Sequence, residues 1–219
     1  DASGLQSLGN TTAGIQVFNQ NGLKVVNNVV SGNVGDGIWV RSGSTNQNTI
    51  VHGNLIGLGA DGATALGNTT AGILIDGGAP PASDPILLGS IGGVLAGEAN
   101  QIAFNGTDGV AVAGGSGATI RGNSIHSNGG LGIDLLGANG VNGNDVLDLD
   151  GGPNNLQNFP VISSAVVSGA DITITGTLNT TALTAGIVVD FYWSPAGDAS
   201  GHGEALQYLG SETVSTDAL

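Results

Sequence analysis

The sequence predicts an all-β protein: a parallel β-solenoid over residues 1–158, then a small, incomplete antiparallel β-sandwich over 159–219. Three observations predict it. Gly makes up 41 of 219 residues and Asn 21, while only 9% are charged and 40% are hydrophobic. Such a chain has short apolar strands between tight corners, rather than helices or disorder. The string LGNTTAGI stands at 8–15 and again, unchanged, at 66–73, and a looser unit recurs three times. Past residue 158 the texture becomes an apolar/polar alternation of period two.

The looser unit reads NNVVSGNVGDGIWV at 27–40, ANQIAFNGTDGVAV at 99–112 and GNSIHSNGGLGIDL at 122–135. Asn28, Asn33 and Gly37 match Asn100, Asn105 and Gly109, and also Asn123, Asn128 and Gly132. The phrase NTIVHGNLIG at 48–57 reads as a partial copy with Asn54 at the second Asn, which gives His52 and His126 one motif position. Gly14 to Gly37 and Asn105 to Asn128 are 23 residues, and Asn33 to Asn54 is 21, so a rung takes 21–23 residues. Dividing 1–158 by that period gives about seven rungs, a rod near 34 Å long at about 4.8 Å per rung. APPASDP at 79–85 reads as an inserted loop, because Pro cannot feed a central ladder.

Each strand of such a stack bonds to its equivalents one rung away, so every corner is stacked too. Gly, Asn and Asp enter left-handed corners at least cost, and a repeated Asn can form a side-chain amide ladder. Asp36 and Asp108, each just before the repeat Gly, read as turn formers.

After residue 135 the unit has no further copy. The phrase NDVLDLDGGPNN, 144–155, is the best chemical constellation. Oxygens of Asp145, Asp148, Asp150 and Asn154 on a short Gly loop suit Ca²⁺, although the spacing is not that of an EF-hand. The competing reading is an acidic capping linker with Asx-turns. From 159 on, VISSAVVSGADITITGTLN, GIVVDFYWSP and EALQYLGSETVSTDA offer four or five strands, where an Ig-like sandwich needs about seven. An unfinished sandwich leaves an exposed edge.

Seventeen acids against three bases give a net charge of −14. Lys24, Arg41 and Arg121 cannot form a basic face, which excludes nucleic-acid binding through phosphates. No apolar run reaches membrane-spanning length, so no membrane span is expected. Without Cys there is no disulfide or thiolate site, and the absence of Met reads as a fragment or a processed product.

The phrases LGNTTAGI, SIGG at 90–93, GNSIHSNGGLGIDLLG, NDVLDLDGGPNNLQNFPVI and GHGEALQYLGS resemble large bacterial surface proteins with right-handed parallel β-helix repeats. These belong to the pectin-lyase-like superfamily by fold, and their helix often runs into a small β-sandwich. The resemblance implies an extracellular or bacterial cell-surface location. It does not imply lyase activity, since the fold hosts enzymes, adhesins and fibres. Lyases of that type use Ca²⁺ on clustered carboxylates with an Arg or Lys base; here Arg41 and Arg121 are the only Arg residues. GHG at 201–203 resembles a polygalacturonase phrase but lies in the sandwich, with no DD or RIK beside it, and reads as chance.

The expected function is therefore a non-catalytic structural or interaction module: a stalk, an adhesin segment or a fibre-forming subunit. Expected partners are further copies of the chain, joined as a homo-polymer through open solenoid ends or the sandwich edge, and surface glycans. The alternatives are a non-catalytic glycan-binding module and a Ca²⁺-dependent polysaccharide lyase or hydrolase. Trp39, Phe18 and Phe104 are too scattered along the chain to read as a glycan platform.

Overall fold

A computed structural model describes residues 3–18, 21–41, 48–77, 89–135, 140–181 and 186–217. The proposed loop at 79–85 lies outside the described residues.

Among the described residues thirteen short strands come first: β1 (Ile15–Phe18), β2 (Lys24–Val26), β3 (Val29–Val30), β4 (Ile38–Arg41), β5 (Ile50–His52), β6 (Leu55–Ile56), β7 (Ile73–Asp76), β8 (Ser90–Ile91), β9 (Gln101–Ala103), β10 (Val110–Val112), β11 (Thr119–Ile120), β12 (Ser124–His126) and β13 (Ile133–Asp134). They form three parallel sheets, in the orders β1-β4-β7-β10-β13, β2-β5-β8-β11 and β3-β6-β9-β12. The chain thus visits the three sheets in turn and returns to each at every third strand, an arrangement compatible with a β-helix-like fold.

The registers explain the apolar code. Ile15, Ile38, Ile73, Val110 and Ile133 stack in one column of the first sheet, and Val17, Val40, Ile75 and Val112 in the next inward column. Val25, Val51 and Ile91 stack in the second sheet, and Val30, Ile56, Ile102 and Ile125 in the third. Together these side chains form the core, except that Ile15 is half-buried against it and Ile133, at the end of its column, is exposed. Equal aliphatic residues one strand apart nest without cavities, so the stack can grow without changing its cross-section.

The circuits are longer and fewer than the sequence period implies. Among the described residues the first sheet has five strands and the others four each, rather than about seven rungs, and five strands span roughly 19 Å. In the first sheet Ile15 pairs Ile38, Ile38 pairs Ile73, Ile73 pairs Val110, and Val110 pairs Ile133. The first and last steps are 23 residues, but the middle two are 35 and 37. Extra length leaves the stack as excursions. One is closed by an antiparallel bridge between Leu58 and Ala65. Asp61 holds its turn, accepting from the Thr64 hydroxyl and from the Thr64 and Ala63 N–H groups, and these bonds pull its carboxyl down to about 2.

Four longer strands follow: β14 (Val161–Ser168), β15 (Asp171–Thr177), β16 (Ile187–Trp193) and β17 (Gln207–Val214). They form two separate antiparallel pairs, β14 with β15 and β16 with β17. A short 3-10 turn, Pro153–Leu156, precedes them.

Candidate functional site

The polar interior of the stack is built first by asparagine. Asn10, Asn33, Asn68, Asn105 and Asn128 form one ladder, in which each residue donates both its backbone N–H and its Nδ2 to the Oδ1 of the next. Asn28, Asn54, Asn100 and Asn123 form a second ladder in the same way. Side chains from Asn33 and Asn54 onward are buried. Asn54 therefore belongs to the column of the first Asn, not of the second as its spacing suggests. His52 and His126 consequently sit in different sheets, on β5 and β12. His52 Nε2 lies 2.6 Å from Ser90 Oγ, and the His126 ring meets Phe104 edge-on.

The first ladder ends on Glu204. Its carboxylate accepts the N–H groups of Ser127 and Asn128 and the Nδ2 of Asn128. Next to it the Ala205 carbonyl accepts from Ile125 N–H at 2.8 Å, and the Leu206 carbonyl from Ser124 Oγ. The segment 204–206 thus lies along β12 and closes the C-terminal edge of the third sheet. Strand β16 adds two fastenings. Arg121 donates through Nε and Nη2 to both oxygens of Asp190, at 2.8 and 2.6 Å. Tyr192 OH accepts from Gly122 N–H, and burial pushes its pKa up to about 12, so it remains a neutral phenol. Glu204 reads as isolated in the sequence. Only the need for an acceptor where a ladder of donors ends could have singled it out.

The acidic loop brings together three of its four predicted oxygen donors. One carboxylate oxygen each from Asp145, Asp148 and Asp150 lie within 4.8 Å of one another. Asn158 organises the loop: its Oδ1 accepts Asp145 N–H, its Nδ2 donates to the carbonyls of Asp145 and Asn179, and its N–H reaches Asp148 Oδ1. Leu147 and Asp148 adopt positive φ of 67° and 57°, which turns the Asp148 carboxylate toward its neighbours. Asp145 Oδ2 accepts Leu149 N–H, while Oδ1 is buried without a hydrogen-bond partner. Asn154 is placed elsewhere. Its side chain is paired with the backbone N–H and carbonyl of Ala118, which fastens the 3-10 turn to the stack. An orphaned, buried carboxylate oxygen beside two further carboxylates fits a hard divalent cation.

On the outer face of the first sheet, Arg41 lies over the rings of Trp39 and Phe18, 5.2 and 5.9 Å from their centroids, with Asp76 at 3.9 Å. Phe18 and Arg41, 23 apart in sequence, meet here because β1 and β4 pair in register. Neither Arg stands alone beside clustered acids: Arg121 is held by Asp190 and Arg41 by this aromatic and acidic surround. Comparison with protein-family models, with curated proteins and with solved structures finds no match to this chain.

Proposed function

We propose that the chain is a non-catalytic structural and interaction module working outside the cell. In this reading residues 1–158 form a right-handed parallel β-helix, and residues 159–219 are part of a β-sandwich docked on its end. The observation that carries it is the use of the buried asparagines. The ladder amides spend their hydrogen bonds on one another and on the backbone, as expected of a scaffold.

Assembly with further copies is the second part of the reading. Simple head-to-tail stacking is disfavoured, because Glu204 and Ala205 occupy the C-terminal edge of the third sheet. The N-terminal edge is the better surface: β1, β2 and β3 lie at the ends of their sheets, and Phe18, Val26 and Val29 are exposed there. Light scattering over a concentration series tests this. A dimer or larger species should appear and be lost on Val26→Pro, which removes a backbone N–H that points away from β5; a monodisperse monomer at the highest concentration overturns it.

Ca²⁺ at Asp145, Asp148 and Asp150 is a separate proposal, supported by the unpartnered Asp145 oxygen. Bound there, the ion would offset two of the three negative charges and stiffen the junction between the stack and the hairpins. Melting in millimolar Ca²⁺ should occur at higher temperature than in EDTA, and an unchanged transition refutes the site.

A further inference from the structure

Strand β14 pairs with β15 on one side, and its other edge has no partner among the described residues. All of its residues, Val161–Ser168, are exposed, and none is charged, Pro or Gly. Proteins ordinarily blunt such an edge with a Lys, a Pro or a cover. The outer edge of β15 is less open: the strand begins on Asp171, and Ile174 at its middle is half-buried.

The turn fixes which backbone groups of β14 are free. Gly169 and Ala170 close the hairpin on the Ser168–Asp171 pair, which is therefore hydrogen-bonded. Antiparallel pairs alternate between bonded and non-bonded. Val166–Thr173 and Ser164–Thr175 are then bonded pairs, whereas Val167–Ile172 and Ala165–Ile174 are not. The N–H and C=O groups of Ala165 and Val167 accordingly point away from β15. These two residues suit an antiparallel copy of the same strand. With a two-fold axis at Val166, Ala165 exchanges N–H···O=C bonds with Val167 of the second copy, and Val167 with its Ala165. Val166 then faces Val166, and Ser164 faces Ser168. Apolar side chains meet on the face shared with Ile172 and Ile174, and hydroxyls meet on the other. No carboxylate opposes its own image, although the chain carries −14.

We propose that β14 is a self-pairing edge, through which two copies of the chain join strand to strand into one sheet in the order β15-β14-β14-β15. This deepens the assembly reading and is separate from the N-terminal edge. Residues 159–219 contain Asp171, Asp190, Asp198, Glu204, Glu212 and Asp217 but no Lys or Arg. Two copies therefore repel at this end, and the contact needs salt. The N-terminal edge carries Lys24 on β2 and lacks that requirement. Both contacts together link copies into open chains, because each two-fold contact uses only its own edge.

Light scattering of the Val26→Pro protein, which lacks the N-terminal contact, tests the proposal. In about 0.01 M NaCl it should be a monomer. In about 1 M NaCl, where the screening length is about 3 Å, it should dimerise with a dissociation constant on the order of 0.1 mM. Val167→Pro removes an outward N–H that β15 does not use and should abolish that dimer. Val166→Glu sets like charges opposite each other and should weaken it at least about tenfold, while Val166→Thr should leave it intact. Hydrogen exchange of the parent in the same salt reads the contact directly. The amides of Ala165 and Val167 should gain protection as concentration rises, while that of Ser164, bonded to β15, is protected throughout. If Val167→Pro exposes the Ser164 amide, the hairpin itself has opened and the Val166→Glu and Val166→Thr pair decides. A monomer at the highest concentration in 1 M NaCl, equal dimerisation of Val166→Glu and Val166→Thr, or concentration-dependent protection at Ile172 and Ile174 instead would each overturn the proposal.

Discussion

A buried asparagine in this chain works because both halves of its amide are used. Asn105 accepts from Asn68 through Oδ1 and donates through Nδ2 to Asn128 and to the Ala103 carbonyl. Asn105→Ala would strand donors and acceptors on both neighbours and should cost about 3 kcal/mol, measured by urea unfolding. The pattern of Asn five residues apart was legible in the sequence, because a stacked corner repeats its residue. The positive φ of Phe104 and Ser127, 61° and 57°, was not, since neither side chain marks such a corner. Asp108 makes a prediction about pH. Its carboxyl is raised in the folded state, so the folded protein holds that proton more tightly than the unfolded chain. Ionisation therefore opposes folding above the raised value, and the opposition disappears below the ordinary carboxylate range. Asp108→Asn should melt higher than the parent at neutral pH and alike in acid, as followed by circular dichroism.

At the scale of the element, the repeat glycines decide how closely circuits approach. A Cβ on Gly72 would stand 2.6 Å from Ile102 Cγ2 and 2.7 Å from the Gly109 carbonyl oxygen. Gly72→Ala should destabilise the protein by roughly 1–3 kcal/mol through overpacking, again by urea unfolding. The apolar strands were legible from their phrases, and the C-terminal region was correctly read as strand-rich. Their partners were not: a spacing of 21 residues put Asn54 in the wrong column, because excursions such as the Leu58–Ala65 hairpin lengthen a circuit without leaving a trace in the strand motifs. The docking of β16 is the least legible element of all, since it depends on Arg121 meeting Asp190 across 69 residues. Asp190→Ala leaves the Arg121 guanidinium, partly buried, without its carboxylate. It should cost about 2 kcal/mol and speed hydrogen exchange in β16 and β17 more than in the first sheet.

For the whole molecule, charge is the dominant long-range term. Seventeen acids and three bases leave −14, and Arg41 and Arg121 already face carboxylates. Raising NaCl from about 0.01 M to about 1 M shortens the screening length from about 30 Å to about 3 Å. Melting temperature should rise with salt, because relief of repulsion outweighs the weakening of two ion pairs; a falling melting temperature would refute this balance.

The sequence by itself determined the strand chemistry: aliphatic residues that nest in columns, Gly and Asn at the corners, and an acidic loop after the last repeat. Those are local choices, set by backbone sterics and side-chain shape within a few residues. Only the tertiary structure decided how many circuits there are, which Asn stacks on which, and that Glu204 ends a ladder. Each of these depends on contacts between residues tens of positions apart, and the length of an excursion sets them without altering any motif.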